Sequence, residues 1–175
     1  MNPVALTCAY YFLVKSSVNV LFITAQSAFL KQAGVTALPY VYTAMNVVYI
    51  LIQAAAVQRL KARSAAHLTR LSALFLVVVT LRLVVPAPPG AAAAALLLAV
   101  MVFDLLFNQF FFHYLNDIFT VQEGKTSMPL VTAAGSLAFI GSGVALKLAL
   151  TVVSPQAVLI GCVAAFGMSL TVFGF

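Results

Sequence analysis

The sequence predicts an all-α, polytopic membrane protein in which residues 1–175 form one domain of six transmembrane helices. Two features of the composition predict this class. The chain is 64% hydrophobic and only 7% charged, whereas charged residues make up about a quarter of a typical soluble domain. In addition, several apolar runs reach the roughly 20 residues that a helix needs to cross the hydrocarbon core of a bilayer.

Turn residues and charges divide the chain into six apolar runs. The breaks read KQAGVTA, QRLKARSAAH, PAPPG, LNDIFTVQEGKTS and SPQ, and clusters of Gly, Pro and charged residues of this kind mark connections. The first run has no basic segment before it and no small-residue cleavage site after it, so we expect a retained helix rather than a signal peptide. The predicted helices cover residues 4–29, 38–57, 68–85, 91–115, 128–153 and 157–175.

Positively charged residues indicate how the helices are oriented. The loop between helices 2 and 3, together with the first turn of helix 3, carries four basic residues, Arg59, Lys61, Arg63 and Arg70. The loop between helices 4 and 5 carries Lys125, whereas the loops on the opposite side hold only Lys31. Because cytoplasmic loops are enriched in Lys and Arg, we expect both termini in the cytoplasm and the chain in a bacterial inner (plasma) membrane. The net charge of +6 comes mostly from these flanking residues, so it does not indicate a nucleic-acid partner.

Polar residues recur at helical spacing in four of the six predicted helices. Residues at i, i+4, i+7 and i+11 share a helix face, and in a bilayer a polar face must meet other helices or a watery cavity. We therefore expect an inner layer of helices 1, 2, 4 and 5 and an outer layer of helices 3 and 6. The alternative is that the stripes only hydrogen-bond one helix to another. The stripes are Lys15, Asn19 and Gln26 in helix 1; Tyr42, Asn46, Tyr49 and Gln53 in helix 2; Asp104 and Asn108 in helix 4; and Thr132, Ser136, Gly143 and Lys147 in helix 5.

Two charged residues, Lys15 and Asp104, fall near the middle of predicted helices. A charge at this depth costs about 2.5–3.5 kcal/mol even on a lenient insertion scale, and pairing of Lys15 with Asp104 across the bundle would offset that cost. The alternative is a purely structural ion pair, although intramembrane charges usually mark a pathway. Lys147 lies closer to the outer surface. If Lys147 faces inward, the charges of Lys15, Lys147 and Asp104 give the interior of the bundle a net positive charge, which suits an anionic solute. The candidate solute-binding residues are Lys15, Asn19, Asn46, Asp104, Asn108 and Lys147.

Other chemistry is not indicated. Gly124-Lys125-Thr126 has the ending of a phosphate-binding loop, but position 119, where the first glycine belongs, is Phe119 and no strand precedes it. Cys8 and Cys162 lie in predicted helices without a CxxC pattern, so neither a disulfide nor a metal site is expected. No nucleophile with a base and no pair of carboxylates converges on one helix end, so we expect no enzyme and no cofactor.

Helix 5 is predicted to pack tightly after the turn that precedes it. We expect the helix to begin near Pro129, because proline suits a first helical turn. Ala134, Ala138 and Ser142 then follow at a spacing of four, and small residues at this spacing let a neighbouring helix approach closely.

The turn after helix 4 reads Asn116-Asp117-Ile118-Phe119, followed by Lys125 and by a Gly- and Ala-rich helix at 133–143. Together with residues 10–44, this region, 107–143, resembles the ATP/ADP carrier-like branch of the major facilitator superfamily. The resemblance implies one six-helix half of a twelve-helix transporter, with helices 1 and 4 lining the cavity and helices 3 and 6 outermost. Nucleotide carriers of that branch use a lysine in helix 1 and an acidic residue in helix 4, and Lys15 and Asp104 match those positions.

We therefore expect the N-terminal half of a secondary transporter that moves an anionic solute by alternating access, and the resemblance makes a nucleotide-like solute a candidate. Its partners would be the lipid bilayer and a second six-helix half, with a homodimer partner or other membrane subunits as alternatives. The alternative function is a non-transporting membrane scaffold with a facilitator-like fold, which binds partner proteins in a larger complex.

Overall fold

The computed structural model describes residues 3–57, 64–84 and 89–172, and every regular element in this part of the chain is a helix. The predicted all-α class is therefore confirmed. A short 3-10 turn at Val35–Ala37 precedes the second helix. The helices are α1 (Pro3–Ala33), α2 (Leu38–Val57), α3 (Ser64–Val84), α4 (Pro89–Ile118), α5 (Val121–Ala149) and α6 (Pro155–Val172).

Local sequence explains where the helices begin and end. Gly34 follows α1 with φ at 75°, a left-handed conformation that glycine adopts without a steric penalty. Before α5, the Thr120 hydroxyl accepts a hydrogen bond from the Glu123 amide, and the Glu123 carboxylate accepts one from the Thr120 amide at 3.0 Å. This reciprocal capping satisfies two amides that would otherwise lack partners at the start of the helix. Ser154 accepts from the Ala157 amide at the start of α6 in the same way.

The connection between α4 and α5 is much shorter than the sequence predicts. We expected a loop over residues 116–127, but α4 continues to Ile118 and α5 begins at Val121. The capping by Thr120 starts α5 before the apolar run, so the polar first turns of the helix precede its apolar part. As a result Pro129, expected in the first turn, lies inside α5, and Gly124 and Lys125 are helical residues rather than parts of a loop.

Four described helices are long and apolar enough to cross a membrane: α1, α4, α5, and α2 with the turn before it. These are the same four in which the sequence shows polar stripes. In the described parts of α3 and α6 the apolar stretches are shorter, Leu68–Leu81 and Gln156–Ser169. The structure supports a membrane protein with transmembrane helices, and six crossings stay a prediction.

The chain divides into two compact units, and the first consists of Met1–Leu21 and Leu115–Phe175. Within it, α1 and α5 pack along a face of α5 that buries small side chains, including Gly135, Ala138 and Ser142. Close packing of α5 was predicted, although Gly135 rather than Ala134 occupies its tightest position. Tyr11 lies beside Gly135 and Asn19 lies beside Ser142, so α1 and α5 run in the same direction.

The second unit, Phe22–Tyr114, contains the rest of α1 together with α2, α3 and α4. Ala25 and Phe29 of α1 pack with Ala93, Leu97 and Met101 of α4, and the start of α2 covers this cluster. Farther along both helices, side chains of α2 and α4 are joined by hydrogen bonds. Early residues of α2 therefore lie beside early residues of α4, and later ones beside later ones, so these two helices are parallel.

An aromatic column fixes α3 against α4 in the second unit. The rings of Phe75 and Phe103 are stacked, with centroids 3.9 Å apart and an angle of 11° between their planes. Phe103, Phe107 and Phe111 continue the column along α4 at a spacing of four residues, with successive centroids 5.6 and 5.5 Å apart. All four rings are buried, so aromatic packing stabilises this contact.

Replacing Gly135 with alanine tests the contact between α1 and α5. An added Cβ would overlap the ring of Tyr11, which is itself buried, so we expect Gly135→Ala to lower the free energy of unfolding by about 1–3 kcal/mol. Titration with SDS in detergent micelles measures this change. Gly141→Ala is the matched control in the same helix, because a Cβ there meets nothing within 4 Å. It should leave stability unchanged or raise it by up to about 1 kcal/mol. Equal effects of the two substitutions would contradict the packing.

Candidate functional site

The six candidate residues fall in both units, and each group is described within its own unit. The first unit contains Lys15, Asn19 and Lys147, and the second contains Asn46, Asp104 and Asn108. Their assignment as solute-binding residues stays a prediction, and so does the pairing of Lys15 with Asp104.

Lys15 lies close to the middle of α1 and is half-buried. Its ammonium nitrogen lies 6.0 Å from the centroid of the Tyr11 ring, one turn earlier on the same helix. A cation at this distance from an aromatic face is attracted by about 0.5–2 kcal/mol. The ring therefore lowers the cost of a positive charge at mid-helix.

Asn19 is 5% exposed and joins α1 to α5. Its amide nitrogen donates to the Ser142 hydroxyl at 2.7 Å and to the Phe139 carbonyl at 3.1 Å. Both amide hydrogens are thus used in the helix contact, which is the kind of helix-to-helix bond that the sequence left open as an alternative to a cavity. In this arrangement Asn19 offers an acceptor oxygen rather than a donor, so it is poorly suited to bind an anion directly.

Lys147 is exposed in the last turn of α5, where a positive charge is favourable near the carbonyl end of the helix. Two other members of the predicted stripe on α5, Thr132 and Ser136, are also exposed. Their hydroxyls donate to carbonyls one turn earlier in the same helix, at 2.9 and 3.3 Å. The α5 stripe therefore lies outside the face that packs on α1, and its hydroxyls need no external partner.

Asp104 and Asn108 occupy one face of α4, near the middle of this 30-residue helix. The Asn108 amide nitrogen donates to an Asp104 carboxylate oxygen at 3.4 Å, a long hydrogen bond, and both side chains are half-buried. Asp104 supplies a negative charge on this face of α4, and Asn108 supplies an amide beside it.

Gln109 is a polar residue between α2 and α4 that the sequence analysis missed. Its side-chain oxygen accepts from the Tyr49 hydroxyl at 3.2 Å, and its nitrogen donates to the Gln53 oxygen at 3.0 Å. Gln109 thereby ties α4 to two members of the predicted α2 stripe. The available signal was an amide inside an apolar helix, but Gln109 lies off the face of Asp104 and Asn108, so the search for aligned polar residues passed over it.

The other two members of the α2 stripe, Tyr42 and Asn46, are exposed. Asn46 lies near the middle of the 20-residue α2, and Tyr42 precedes it by one turn on the same face. The stripe is therefore divided: Tyr49 and Gln53 are bonded to α4, while the polar groups of Tyr42 and Asn46 lie on an uncovered part of the helix surface.

Two further features limit the chemistry of the described residues. A groove of about 330 Å³ lies between α2, α3 and α4, but aliphatic and phenyl side chains such as Val48, Leu98 and Phe103 line it, so it is unsuited to a charged solute. No three His, Cys, Asp or Glu side chains come together as a metal site in the described ranges.

A double-mutant cycle tests the role of Gln109. Tyr49→Phe should lower the free energy of unfolding by about 0.6 kcal/mol, and by up to about 1.7 kcal/mol, the range found for hydrogen bonds between membrane helices. In a Gln109→Leu background the same substitution should have almost no effect, because the acceptor is already lost. Unfolding in SDS provides the measurement. A Tyr49→Phe effect of equal size in both backgrounds would show that the two side chains do not interact.

Comparison of the chain with protein-family models, with curated proteins and with solved structures gives no match, so the function must be argued from the residues and geometry described above.

Proposed function

We propose that this chain forms a helical bundle of a secondary membrane transporter and supplies part of the path for an anionic solute. A second bundle would complete the path, and the two would rock about a site near the middle of the bilayer, as is usual for transporters built from repeats. The described residues supply recognition and positioning, and the solute itself undergoes no chemical change.

The observation that carries the proposal is the exposure of Asn46 near the middle of α2. An amide at this depth cannot be left facing acyl chains without losing its hydrogen bonds. Part of the same stripe is already bonded to Gln109 of α4, so the uncovered part begins where the contact between helices ends. Water or a second polar surface beside Asn46 would provide hydrogen-bond partners for its amide. A path for a polar solute is lined by both.

The distribution of polar groups over the long helices supports the same reading. Lys15 lies close to the middle of α1, Asn46 to that of α2, Asp104 to that of α4 and Ser136 to that of α5. Polar groups that only anchored the helix ends would lie near the interfaces instead. A polar residue near the middle of each crossing helix is typical of transporters that bind their solute at the bilayer midplane.

The directions of the helices support six crossings rather than four. Because α2 and α4 are parallel within the second unit, a chain that crosses the bilayer in α2 must cross back before it enters α4. The segment available for this crossing contains α3, a 21-residue helix of about 32 Å. That length suffices for the roughly 30 Å hydrocarbon core, so we assign a crossing to α3. Continued alternation through α5 and α6 gives six.

The solute class follows from the charges near the middle of the helices. Lys15 is the positive charge at this depth in the first unit, and the Tyr11 ring holds it without neutralising it. In the pairing that the sequence predicts, an anionic solute would compete with the Asp104 carboxylate for the Lys15 ammonium group. An exchange of this kind, in which an anion displaces a carboxylate from a lysine, would account for one charge of each sign in an apolar bundle.

The face of α5 favours a second candidate, a scaffold that binds other membrane proteins. The Thr132 and Ser136 hydroxyls are exposed but satisfied within their own helix, so this face can meet another helix without enclosing water. Small residues beside them, including Ala133 and Gly141, allow a close approach. A bundle used only for docking would need this face and would not need hydration at Asn46.

Cysteine labelling along α2 distinguishes a watery path from lipid. In a chain with Cys8→Ala and Cys162→Ala, we expect Tyr42→Cys and Asn46→Cys to react with a charged thiosulfonate reagent in intact membranes. Val47→Cys is the matched control, because Val47 lies on the apolar face of α2. Val47 is 51% exposed and Tyr42 is 37% exposed, so a lower reactivity at position 47 would not result from burial within the protein. Val47→Cys should react at least ten times more slowly, since the thiolate does not form in hydrocarbon. Equal rates at positions 46 and 47 would contradict a polar path on this side of α2.

Substitution of the two charged residues tests the expected pairing of Lys15 with Asp104. Lys15→Ala should lower the free energy of unfolding by about 3 kcal/mol, because it leaves the Asp104 carboxylate at mid-helix without its expected counter-charge. Adding Asp104→Asn should restore part of this loss, whereas Asp104→Asn should be destabilising in the native background. Thermal or SDS unfolding of the four proteins gives the coupling free energy. A double mutant equal to the sum of the single mutants would rule out the pair.

A further inference from the structure

Two buried oxygen atoms near the middle of α1 have no hydrogen-bond partner among the described residues: the Ser16 hydroxyl oxygen and the Asn19 side-chain oxygen. Asn19 is 5% exposed, so 95% of its side-chain surface is enclosed. Buried polar atoms in proteins are nearly always satisfied by protein groups or by bound water. Two unmatched oxygens within one helical turn therefore point to a common partner.

The Asn19 oxygen has a fixed direction. Its amide nitrogen is held by the Ser142 hydroxyl at 2.7 Å and the Phe139 carbonyl at 3.1 Å, and the planar amide places the oxygen on the opposite side. A rotation that turned this oxygen toward α5 would set it against the Phe139 carbonyl, which is also an acceptor. The partner must therefore come to the oxygen, and it must be a hydrogen-bond donor.

The spacing of the two residues suits a bridge of one small molecule. Residues three apart on a helix have Cβ atoms about 5–6 Å from each other. A molecule with a hydrogen bond of about 2.8 Å to each oxygen spans up to roughly 5.6 Å. The Ser16 hydroxyl can donate or accept, whereas the Asn19 oxygen can only accept. The bridging molecule must donate at one end and can accept at the other.

We propose that a water molecule binds between the Ser16 hydroxyl and the Asn19 side-chain oxygen and is a fixed part of the contact between α1 and α5. An anion would be repelled by the amide oxygen, and a metal cation would be repelled by the Lys15 charge on the preceding position of the helix. A protein donor one turn away on this helix is the Lys15 ammonium group, four residues before Asn19. The inference goes beyond the proposed transport, since it holds whether or not the chain carries a solute.

A double-mutant cycle of Ser16→Ala with Asn19→Leu tests the bridge. Ser16→Ala should raise the equilibrium constant for unfolding by about 2- to 10-fold when Asn19 is present, because it removes one hydrogen bond of the water. In the Asn19→Leu background the water has already lost its acceptor, so the change should be less than about 2-fold. An equal effect of Ser16→Ala in both backgrounds would overturn the proposal.

Ser169→Ala provides the matched control, because the buried Ser169 hydroxyl is satisfied by the Phe166 carbonyl in α6 at 2.7 Å. Its effect should be the same with and without Asn19→Leu. A third background, Lys15→Met, separates the two donors: the Ser16→Ala effect persists there if water forms the bridge. Its disappearance would assign the bond to Lys15 and overturn the proposal.

A measurement on the native chain keeps the proposal testable if Asn19→Leu does not fold. In water-edited solid-state NMR of the protein in bilayers, the Asn19 carboxamide carbon should receive magnetisation from water, and Ser16→Ala should reduce this transfer by at least half. The carboxamide of Gln109, which is bonded to Tyr49 and Gln53, serves as the reference and should not change. A native Asn19 signal that receives no magnetisation from water would overturn the inference independently of any transport assay.

Discussion

A polar group in the middle of a lipid bilayer must find a hydrogen-bond partner or a counter-charge, and this constraint shapes the whole chain. Hydrocarbon offers neither, so each amide, hydroxyl or charge inside a crossing helix costs free energy unless protein or water satisfies it. The chain concentrates such groups on α1, α2, α4 and α5. Their placement determines which helix faces pack on each other and which remain open for a solute or a partner.

The two units satisfy the constraint with neutral groups at their helix contacts and keep the charges elsewhere. In the first unit Asn19 bonds to α5 beside the Gly135 contact, and in the second Gln109 bonds α4 to α2. Neutral amides fix the register of these contacts at a lower desolvation cost than an ion pair. Lys15 and Asp104 are half-buried, and the proposed transport assigns them the exchange of partners with a solute.

The sequence predicts much of the fold because its strongest signals are local. Apolar runs, prolines and basic loops indicate the helices, and spacing by four predicts the close packing of α5. The structure adds what depends on tertiary contacts. Thr120 and Glu123 start α5 earlier than its apolar run suggests, and Gln109 finds Tyr49 and Gln53 only because α2 and α4 are parallel. Single-helix periodicity identifies the stripe on α2, but it cannot tell that Tyr49 is bonded and Asn46 is exposed.

The most direct test of the account is to determine what surrounds the mid-helix polar residues in a bilayer. Nitroxide labels at positions 46 and 104, with position 47 and position 74 of α3 as apolar references, can be compared by electron spin echo modulation in D₂O and in lipids with deuterated acyl chains. We predict strong modulation from D₂O at 46 and 104, and from acyl deuterium at 47 and 74. Acyl deuterium beside both 46 and 104, with no modulation from D₂O at either, would contradict the central claim that lipid does not meet these faces.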